Sequence, residues 1–281
     1  MVEGRDFSTR LRRLYLPLAA FVVLMLFPFY WMLITSIKSN RELYSQKIMP
    51  LMVHQPTLKH YIDLLTETNF LVWTYNTMLV AIVTTLVSVV VGTMMAYPLA
   101  RLRFPGAAVV AIGVAATYLV PQPLLFIPMS DIINSLELGN TLTAVMLTYP
   151  TLLVPFCAWL LMGYFKSVPR ELEEAARIDG ASRLQAMTRV VLPLCTPGLL
   201  SAAIFAFTLA QNEFLYALIF LAKSDVRTVP VGVITELIRG DVFYWGQLMA
   251  AALLGAVPVA IIYSFFVDYY VAGLTAGSVK N

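Results

Sequence analysis

The chain has 281 residues, of which 59% are hydrophobic and only 12% are charged, and its mean hydropathy is +0.78. Soluble domains carry about 25% charged residues, so this composition excludes a soluble globular protein and indicates one that is integral to a membrane. The net charge of +3 is too small to indicate nucleic-acid binding, and Cys157 and Cys195 both lie in apolar runs, which indicates buried structural thiols.

Six apolar stretches are long enough to cross the hydrocarbon core as helices, since one crossing needs about 20 residues. We predict an all-α, polytopic membrane bundle forming a single transmembrane domain over residues 1–281. Its first stretch follows four arginines but is too long for the core of a signal peptide, so we expect it to remain as an anchor. The predicted spans are near 15–37, 72–99, 107–129, 141–163, 195–221 and 246–269, with a cytoplasmic loop over 164–192 and a C-terminal tail over 270–281.

The distribution of basic residues predicts the orientation of these spans. With both termini in the cytoplasm, the internal segments hold twelve of the 19 Lys and Arg residues and the external segments hold seven. The positive-inside rule therefore favours cytoplasmic termini and places residues 164–192 in the cytoplasm. His54 and His60 both fall in the first external segment, and we interpret them as surface residues.

The most polar passage of the chain is "PRELEEAARIDGASRLQAMTRVVLPL", residues 169–194. It predicts two short helices joined by a sharp turn, with Pro169 in the first turn of the first helix and Gly180 as its C-terminal stop. Ser182 and Gln185 have the spacing of a capping box that opens the second helix. On helix propensity alone, an ordinary amphipathic loop explains the passage equally well.

The spacing within this passage resembles the signature of bacterial ATP-binding-cassette (ABC) importer permeases, E-A-A-x3-G-x9-I-x-L-P. Here Glu174-Ala175-Ala176 precedes Gly180, and Val190 replaces the isoleucine before Leu192-Pro193. Other segments resemble one branch of that family, the second permease of maltose-type carbohydrate importers, and the resemblance extends along nearly the whole chain. These segments are Trp31, Thr35-Ser36-Ile37-Lys38, Asn76-Thr77, "YPLARLRFPG" at 97–106, "QNEFLYAL" at 211–218 and "GLTAGSVKN" at 273–281.

The resemblance implies that the cytoplasmic passage is a coupling helix that docks on a separate ATPase subunit, where Glu174 would pair with a basic residue. The ATPase-coupling residues would be Glu174, Ala175, Ala176, Asp179, Gly180, Ala181, Leu192 and Pro193. The tail would reach between the ATPase subunits through Gly277, Ser278, Val279 and Lys280. The implied partners are a second, different permease, two ATP-binding subunits, an extracytoplasmic solute-binding protein and a carbohydrate, at the bacterial inner membrane.

The chain is not expected to be an enzyme. It has no G-x-x-x-x-G-K-[ST] loop, and the dipeptide Gly-Lys never occurs, so the phosphate cradle of an ATPase is missing. We therefore expect no cofactor in this chain, with ATP and Mg²⁺ held by the partner subunits. No metal-ligand spacing or catalytic cluster is visible either, which argues against a membrane-embedded enzyme.

Glu213 falls inside the predicted fifth span, where an ionised group costs on the order of 3 kcal/mol. It is either a residue of the translocation path or part of a structural hydrogen-bonding knot, and we favour the structural interpretation slightly. Candidates for the path are Gln211, Asn212, Glu213, Phe214 and Tyr216, whose polar and aromatic side chains suit a neutral sugar. An ion-coupled secondary carrier is the alternative function, and it predicts transport by a monomer rather than a stable complex with an ATPase.

Overall fold

The computed structural model of the chain describes residues 11–45 and 49–275. Within these residues the protein is almost entirely helical, with one two-stranded antiparallel hairpin, which confirms the predicted all-α class. The described residues pack as two compact units, one within 1–70 and 233–258 and the other within 71–232 and 259–281. The prediction of one domain over 1–281 does not anticipate this division.

The elements follow one another with few long connections. The helices are α1 (Leu16–Ile37), α2 (Asn40–Leu43), α3 (Lys59–Glu67), α4 (Phe70–Arg101), α5 (Ala107–Tyr118), α6 (Gln122–Ser135), α7 (Leu142–Thr148), α8 (Pro150–Ser167), α9 (Arg170–Ile178), α10 (Arg183–Ala186), α11 (Leu192–Leu194), α12 (Thr196–Asn212), α13 (Leu215–Phe220), α14 (Val229–Leu237) and α15 (Trp245–Thr275). Two π-helical segments (Leu11–Tyr15 and Met187–Val191), a 3₁₀ turn (Ser224–Val226) and the strands β1 (Ile238–Arg239) and β2 (Val242–Phe243) complete the described chain.

In the first unit, the end of α1 is held by the segment that follows it. The Ser36 hydroxyl lies 2.8 Å from that of Tyr61, and His60 Nε2 lies 2.8 Å from the carbonyl oxygen of Lys38. His60 is only 4% exposed, so the prediction that it is a surface residue is wrong. The reason is that its ring satisfies a backbone carbonyl, whereas the His54 side chain remains 55% exposed, as predicted.

A buried carboxylate organises the same segment. Glu42 accepts hydrogen bonds from the backbone N–H groups of His54 (2.9 Å) and Gln55 (3.1 Å), and its Oε1 lies 3.2 Å from His54 Nδ1. Burial alone would raise the pKa of Glu42, but these donors together outweigh that effect and hold its pKa below the ordinary value of 4.5. The carboxylate therefore ties His54 and Gln55 to α2.

The core of the second unit includes one buried face of α8 and the residue that precedes this helix. Its large buried side chains recur every four residues, which places them on one face of the helix. Each of them is at most 2% exposed: Tyr149, Leu153, Cys157, Leu161 and Phe165. Helix α8 packs against α5 and α12, and both cysteines are buried, as predicted.

Two glycines allow helices of this unit to approach closely. A Cβ at Gly92 in α4 would lie 2.7 Å from the Cβ of Cys157 and 3.1 Å from the backbone nitrogen of Ala158. A Cβ at Gly198 in α12 would lie 2.4 Å from the ring of Tyr164. Small residues at such contacts are how membrane helices gain close packing.

Within the described residues, four continuous helices are long and apolar enough to cross a membrane: Arg13–Ile37, Phe70–Arg101, Leu142–Ser167 and Trp245–Phe265. The number reaches the predicted six if two bent helix pairs each count as one span. The third predicted span, 107–129, is not continuous, because α5 and α6 meet at 95°. Pro121 lies at that break in an extended conformation and has no N–H to continue the helix.

The predicted fifth span, 195–221, is also interrupted. Its main helix α12 ends at Asn212, Glu213 is extended, and the chain resumes as α13. At the other end, the residues from Arg183 to Leu194 meet α12 at 77°. The passage 169–194 therefore runs directly into this span through a sharp bend at Cys195.

Candidate functional site

The passage 169–194 forms the two predicted helices and the predicted turn. Pro169 is the residue before α9 rather than part of its first turn, and Gly180 adopts a φ of +91°, which favours glycine. The Ala181 N–H bonds to the Ala176 carbonyl and the Gly180 N–H to that of Arg177, which is a Schellman ending. The Ser182–Gln185 capping box is present with both of its hydrogen bonds.

Neighbouring glutamates of α9 have different surroundings. The Tyr97 hydroxyl donates a hydrogen bond of 2.5 Å to Oε1 of Glu173, and Arg101 Nε lies 3.5 Å from Oε2. Glu174, one residue later and about 100° around the helix, is exposed and makes no hydrogen bond or ion pair with any described residue. The first glutamate therefore ties α9 to the end of α4, and the second is free to meet another molecule.

Sequence reasoning missed Tyr97 and Arg101 as parts of this site. Both lie in "YPLARLRFPG", which was noted only as a mark of resemblance, and 76 residues separate Tyr97 from Glu173. An arginine and a tyrosine at the end of an apolar span were the available signal, because such groups require a polar partner at the membrane boundary.

The exposed side of the passage carries apolar residues as well as charge. Ile178 is 86% exposed and Leu184 is 66% exposed, and Ala175 is exposed as well. Of the remaining predicted coupling residues, Asp179, Gly180 and Pro193 are exposed, whereas Ala176, Ala181 and Leu192 are partly buried. An exposed patch that combines apolar groups with a carboxylate is typical of a protein interaction surface.

A cavity of about 630 Å³ lies within the second unit where α5, α8, α12 and α13 approach one another. Of the predicted path residues, Asn212, Glu213 and Phe214 line it, whereas Gln211 and Tyr216 do not. Sequence reasoning missed the other polar and aromatic lining, which comprises Thr117, Tyr118, Gln122, Tyr149, Thr151 and Thr208. The walls therefore combine aromatic faces with hydroxyl and amide groups.

Glu213, which lines this cavity, also caps the start of α13. Its carboxylate accepts hydrogen bonds from the backbone N–H groups of Tyr216 (2.9 Å) and Ala217 (3.2 Å), which are otherwise unpaired at the start of α13. The side-chain amide of Asn212 donates to the Thr208 carbonyl at 2.9 Å. The break between α12 and α13 is therefore capped from within the chain.

Two further predictions concern the C-terminal tail and the absence of a metal site. The tail residues Gly277, Ser278, Val279 and Lys280 lie outside the described residues. Among the described residues, no group of three or more His, Cys, Asp or Glu side chains is arranged to hold a metal ion.

Comparison with known proteins supplies the family. Residues 88–275 match the family described as "Binding-protein-dependent transport system inner membrane component". The chain is 38% identical over 257 residues to the sulfoquinovosyl glycerol transport system permease protein SmoH of Agrobacterium fabrum, covering 91% of this chain and 89% of that one. It is 34% identical over 276 residues to the trehalose/maltose transport system permease protein MalG of Thermococcus litoralis, covering 96% and 98%.

A solved structure shares the fold. A bacterial ABC transporter involved in the import of the acidic polysaccharide alginate contains a chain that superposes with a TM-score of 0.78. The superposition covers 96% of this chain and 100% of that chain at 22% sequence identity.

Proposed function

Because the chain belongs to the family of binding-protein-dependent transport system inner membrane components, we propose that it is one of two different permease subunits of an ABC importer for a carbohydrate. A solute-binding protein delivers the carbohydrate from outside, and separate subunits bind ATP and Mg²⁺ and hydrolyse the nucleotide. Relatives named for sulfoquinovosyl glycerol and for trehalose or maltose support the carbohydrate class.

The observation that carries the coupling role is that Glu173 is bound within the chain, whereas its neighbour Glu174 is exposed. Through Glu173, α9 is attached to Tyr97 and Arg101 at the end of a membrane-spanning helix. Through its exposed side, which includes Glu174 and Ile178, α9 presents a surface suited to a second protein. A short helix attached on one side and gripped on the other transmits a rigid-body displacement to the span.

The lining of the cavity in the second unit is consistent with a section of the translocation path. Carbohydrates are bound by hydrogen bonds to their hydroxyl groups and by contact with aromatic faces. Thr117, Gln122 and Asn212 offer polar groups of this kind, and Tyr118 and Phe214 offer rings. We propose that the sugar passes this cavity, while Glu213 maintains the break that shapes its wall.

The orientation follows from the charge bias of the sequence. We propose that both termini and the loop 164–192 face the cytoplasm, where ATP is available. ATP is then hydrolysed by the partner subunits, which agrees with the absence of the Gly-Lys dipeptide from this chain.

The coupling role is tested by Glu174→Lys, with Glu171→Lys as the matched control on the same helix, since both side chains are exposed. We expect the Glu174 variant to lose most co-purification of the ATPase subunit or most solute-dependent ATP hydrolysis, and the control to keep both. Normal assembly and normal ATP hydrolysis in the Glu174 variant would contradict the docking role.

The tail is tested by removing residues 275–281. If it reaches the ATPase subunits, the shortened chain inserts normally into the membrane but the complex hydrolyses ATP at a changed rate. An unchanged rate and unchanged regulation would remove the tail from the mechanism.

A further inference from the structure

A second cavity, of about 410 Å³, lies between the end of α4 and the helices α9 and α10. Five arginines line it and only two carboxylates do, so three positive charges remain unbalanced. The seven charged residues are Arg101, Arg103, Arg170, Arg177, Arg183, Glu173 and Glu174. Guanidinium groups gathered around one cavity repel each other unless an anion lies among them.

The arrangement of α9 concentrates this charge. Arg170 and Arg177 lie three residues before and four residues after Glu173, which places all three on one side of the helix. That side is the one attached to Tyr97 and Arg101. The single carboxylate of Glu173 therefore faces several guanidinium groups at once.

At Arg101 the described residues do not satisfy all of the hydrogen-bond donors of the guanidinium group. Its side chain is only 2% exposed, and its Nη2 has no hydrogen-bond partner among the described residues. Its Nε lies 3.5 Å from Glu173, which is long for a hydrogen bond. A buried guanidinium with free N–H groups is costly without an acceptor, and here the free Nη2 belongs to a side chain that lines the cavity.

The position of the cavity indicates where the acceptor comes from. Helix α4 has 32 residues and is therefore about 48 Å long, whereas a bilayer with its headgroups is about 40–45 Å thick. Its last residue, Arg101, thus lies near headgroup depth. Phe104, three residues later, is 40% exposed and offers apolar surface beside the cavity.

We propose that this cavity binds a phosphate group, and that an anionic phospholipid supplies it. Arginine suits phosphate because its planar fork donates two parallel hydrogen bonds to phosphate oxygens, and basic pockets between membrane helices bind anionic headgroups. The bound phosphate completes the partners of Arg101 and holds α9 against the end of α4. The ligand of this site differs from both the carbohydrate and the nucleotide, although Glu174 of the proposed ATPase-coupling surface also lines the cavity.

The test uses the detergent-solubilised transporter containing the full chain, titrated with dioleoylphosphatidylglycerol, dioleoylphosphatidylcholine or sodium phosphate and followed by native mass spectrometry and thermal unfolding. The variant is Arg103→Gln with Arg177→Gln, two exposed residues whose loss leaves the contacts of Arg101 in place. Arg189→Gln, an exposed arginine of the same loop outside the cavity, is the control.

We expect the unmodified protein and the control to bind phosphatidylglycerol about tenfold more tightly than the double variant does, which corresponds to about 1.4 kcal/mol. Arginine-dependent stabilisation by sodium phosphate, without preference for phosphatidylglycerol, would support the phosphate site and assign it a soluble source. Equal binding by all three proteins would overturn the proposal. So would loss of the arginine-dependent binding whenever the ATPase subunit is attached, because the arginines would then belong to a protein contact.

Discussion

Glu213 lies at the break between α12 and α13, Glu174 lies within α9, and their surroundings differ in almost every respect. Glu213 is 8% exposed and uses both carboxylate oxygens to accept the N–H groups of Tyr216 and Ala217. Glu174 is exposed and makes no hydrogen bond or ion pair with the part of the chain that the structure describes. The described residues supply hydrogen-bond partners to both oxygens of Glu213 and to neither oxygen of Glu174.

This difference separates two roles that the sequence alone leaves open for an acidic residue in a membrane protein. A carboxylate whose oxygens accept hydrogen bonds from the N–H groups of the following helix is part of the architecture, even where it lines a cavity. A carboxylate on an exposed helix beside Ile178, which is 86% exposed, has a use only when another molecule covers that surface. Removing the first therefore affects stability, and removing the second affects assembly.

The largest effect that tests this comparison is expected for Glu213→Ala. It leaves two buried N–H groups without an acceptor, each costing about 1–3 kcal/mol, so we expect a loss of roughly 2–6 kcal/mol of stability. Thermal unfolding in detergent measures it. Glu174→Ala is the matched change and should stay within about 0.5 kcal/mol, as surface substitutions do; equal losses in the two variants would break the comparison.

The same contrast between a position filled from within the chain and an open one can be tested sterically at two glycines. Gly92→Val places a side chain against Cys157 and the backbone of Ala158, and overpacking of this kind costs about 1–3 kcal/mol. Gly163→Val adds the same atoms to α8 where nothing lies within 4 Å. We expect only the first variant to unfold at a lower temperature. Similar unfolding temperatures would show that α4 and α8 are less closely packed than described.

The exposed turn provides a smaller effect of purely conformational origin. Gly180→Ala has open space around the new Cβ but must keep a φ of +91°, which costs about 1 kcal/mol. We expect faster amide hydrogen exchange over residues 176–186 and no change in the core of the second unit. Gly139→Ala, which also has open space but no such φ, is the control. Unchanged exchange in the Gly180 variant would argue against the Schellman ending.

The smallest effect concerns Glu42, an internally satisfied carboxylate of the first unit. Because its pKa is lowered on folding, its contribution to stability is present above pH 4.5 and is lost as the pH falls through the folded pKa. We expect the His54 and Gln55 amides to exchange faster in that acid range, after correction for intrinsic rates. Glu42→Gln should abolish this pH dependence. A pH dependence that persists in Glu42→Gln would exclude Glu42 as its cause.

Sequence reasoning predicted the parts of the site that are determined by local chemistry. Gly180 ends a helix because few other residues adopt its backbone conformation, and Ser182 with Gln185 caps the next helix through contacts three residues apart. The positions of four continuous spans follow in the same way from uninterrupted apolar runs. Each of these features depends on residues within one or two helical turns.

The remaining features depend on contacts between distant residues. Whether Glu173 or Glu174 is tied down depends on where Tyr97 and Arg101 lie, and no local pattern contains that information. The third span holds several prolines, and its main bend of 95° lies at Pro121, while Pro128 remains inside a helix. Similarly, the burial of His60 follows from its contact with Lys38, 22 residues away.

The exposure of Ile178 and Leu184 has a consequence for how such a protein is produced in a cell. A chain synthesised without the molecule that covers these side chains presents a bare apolar patch to the aqueous phase, and such patches favour aggregation. Balanced synthesis of the chain and its covering molecule avoids this, and unassembled copies become natural targets for chaperones and proteases. Overproduction of the chain alone is accordingly expected to give poor yields, and co-expression to restore them.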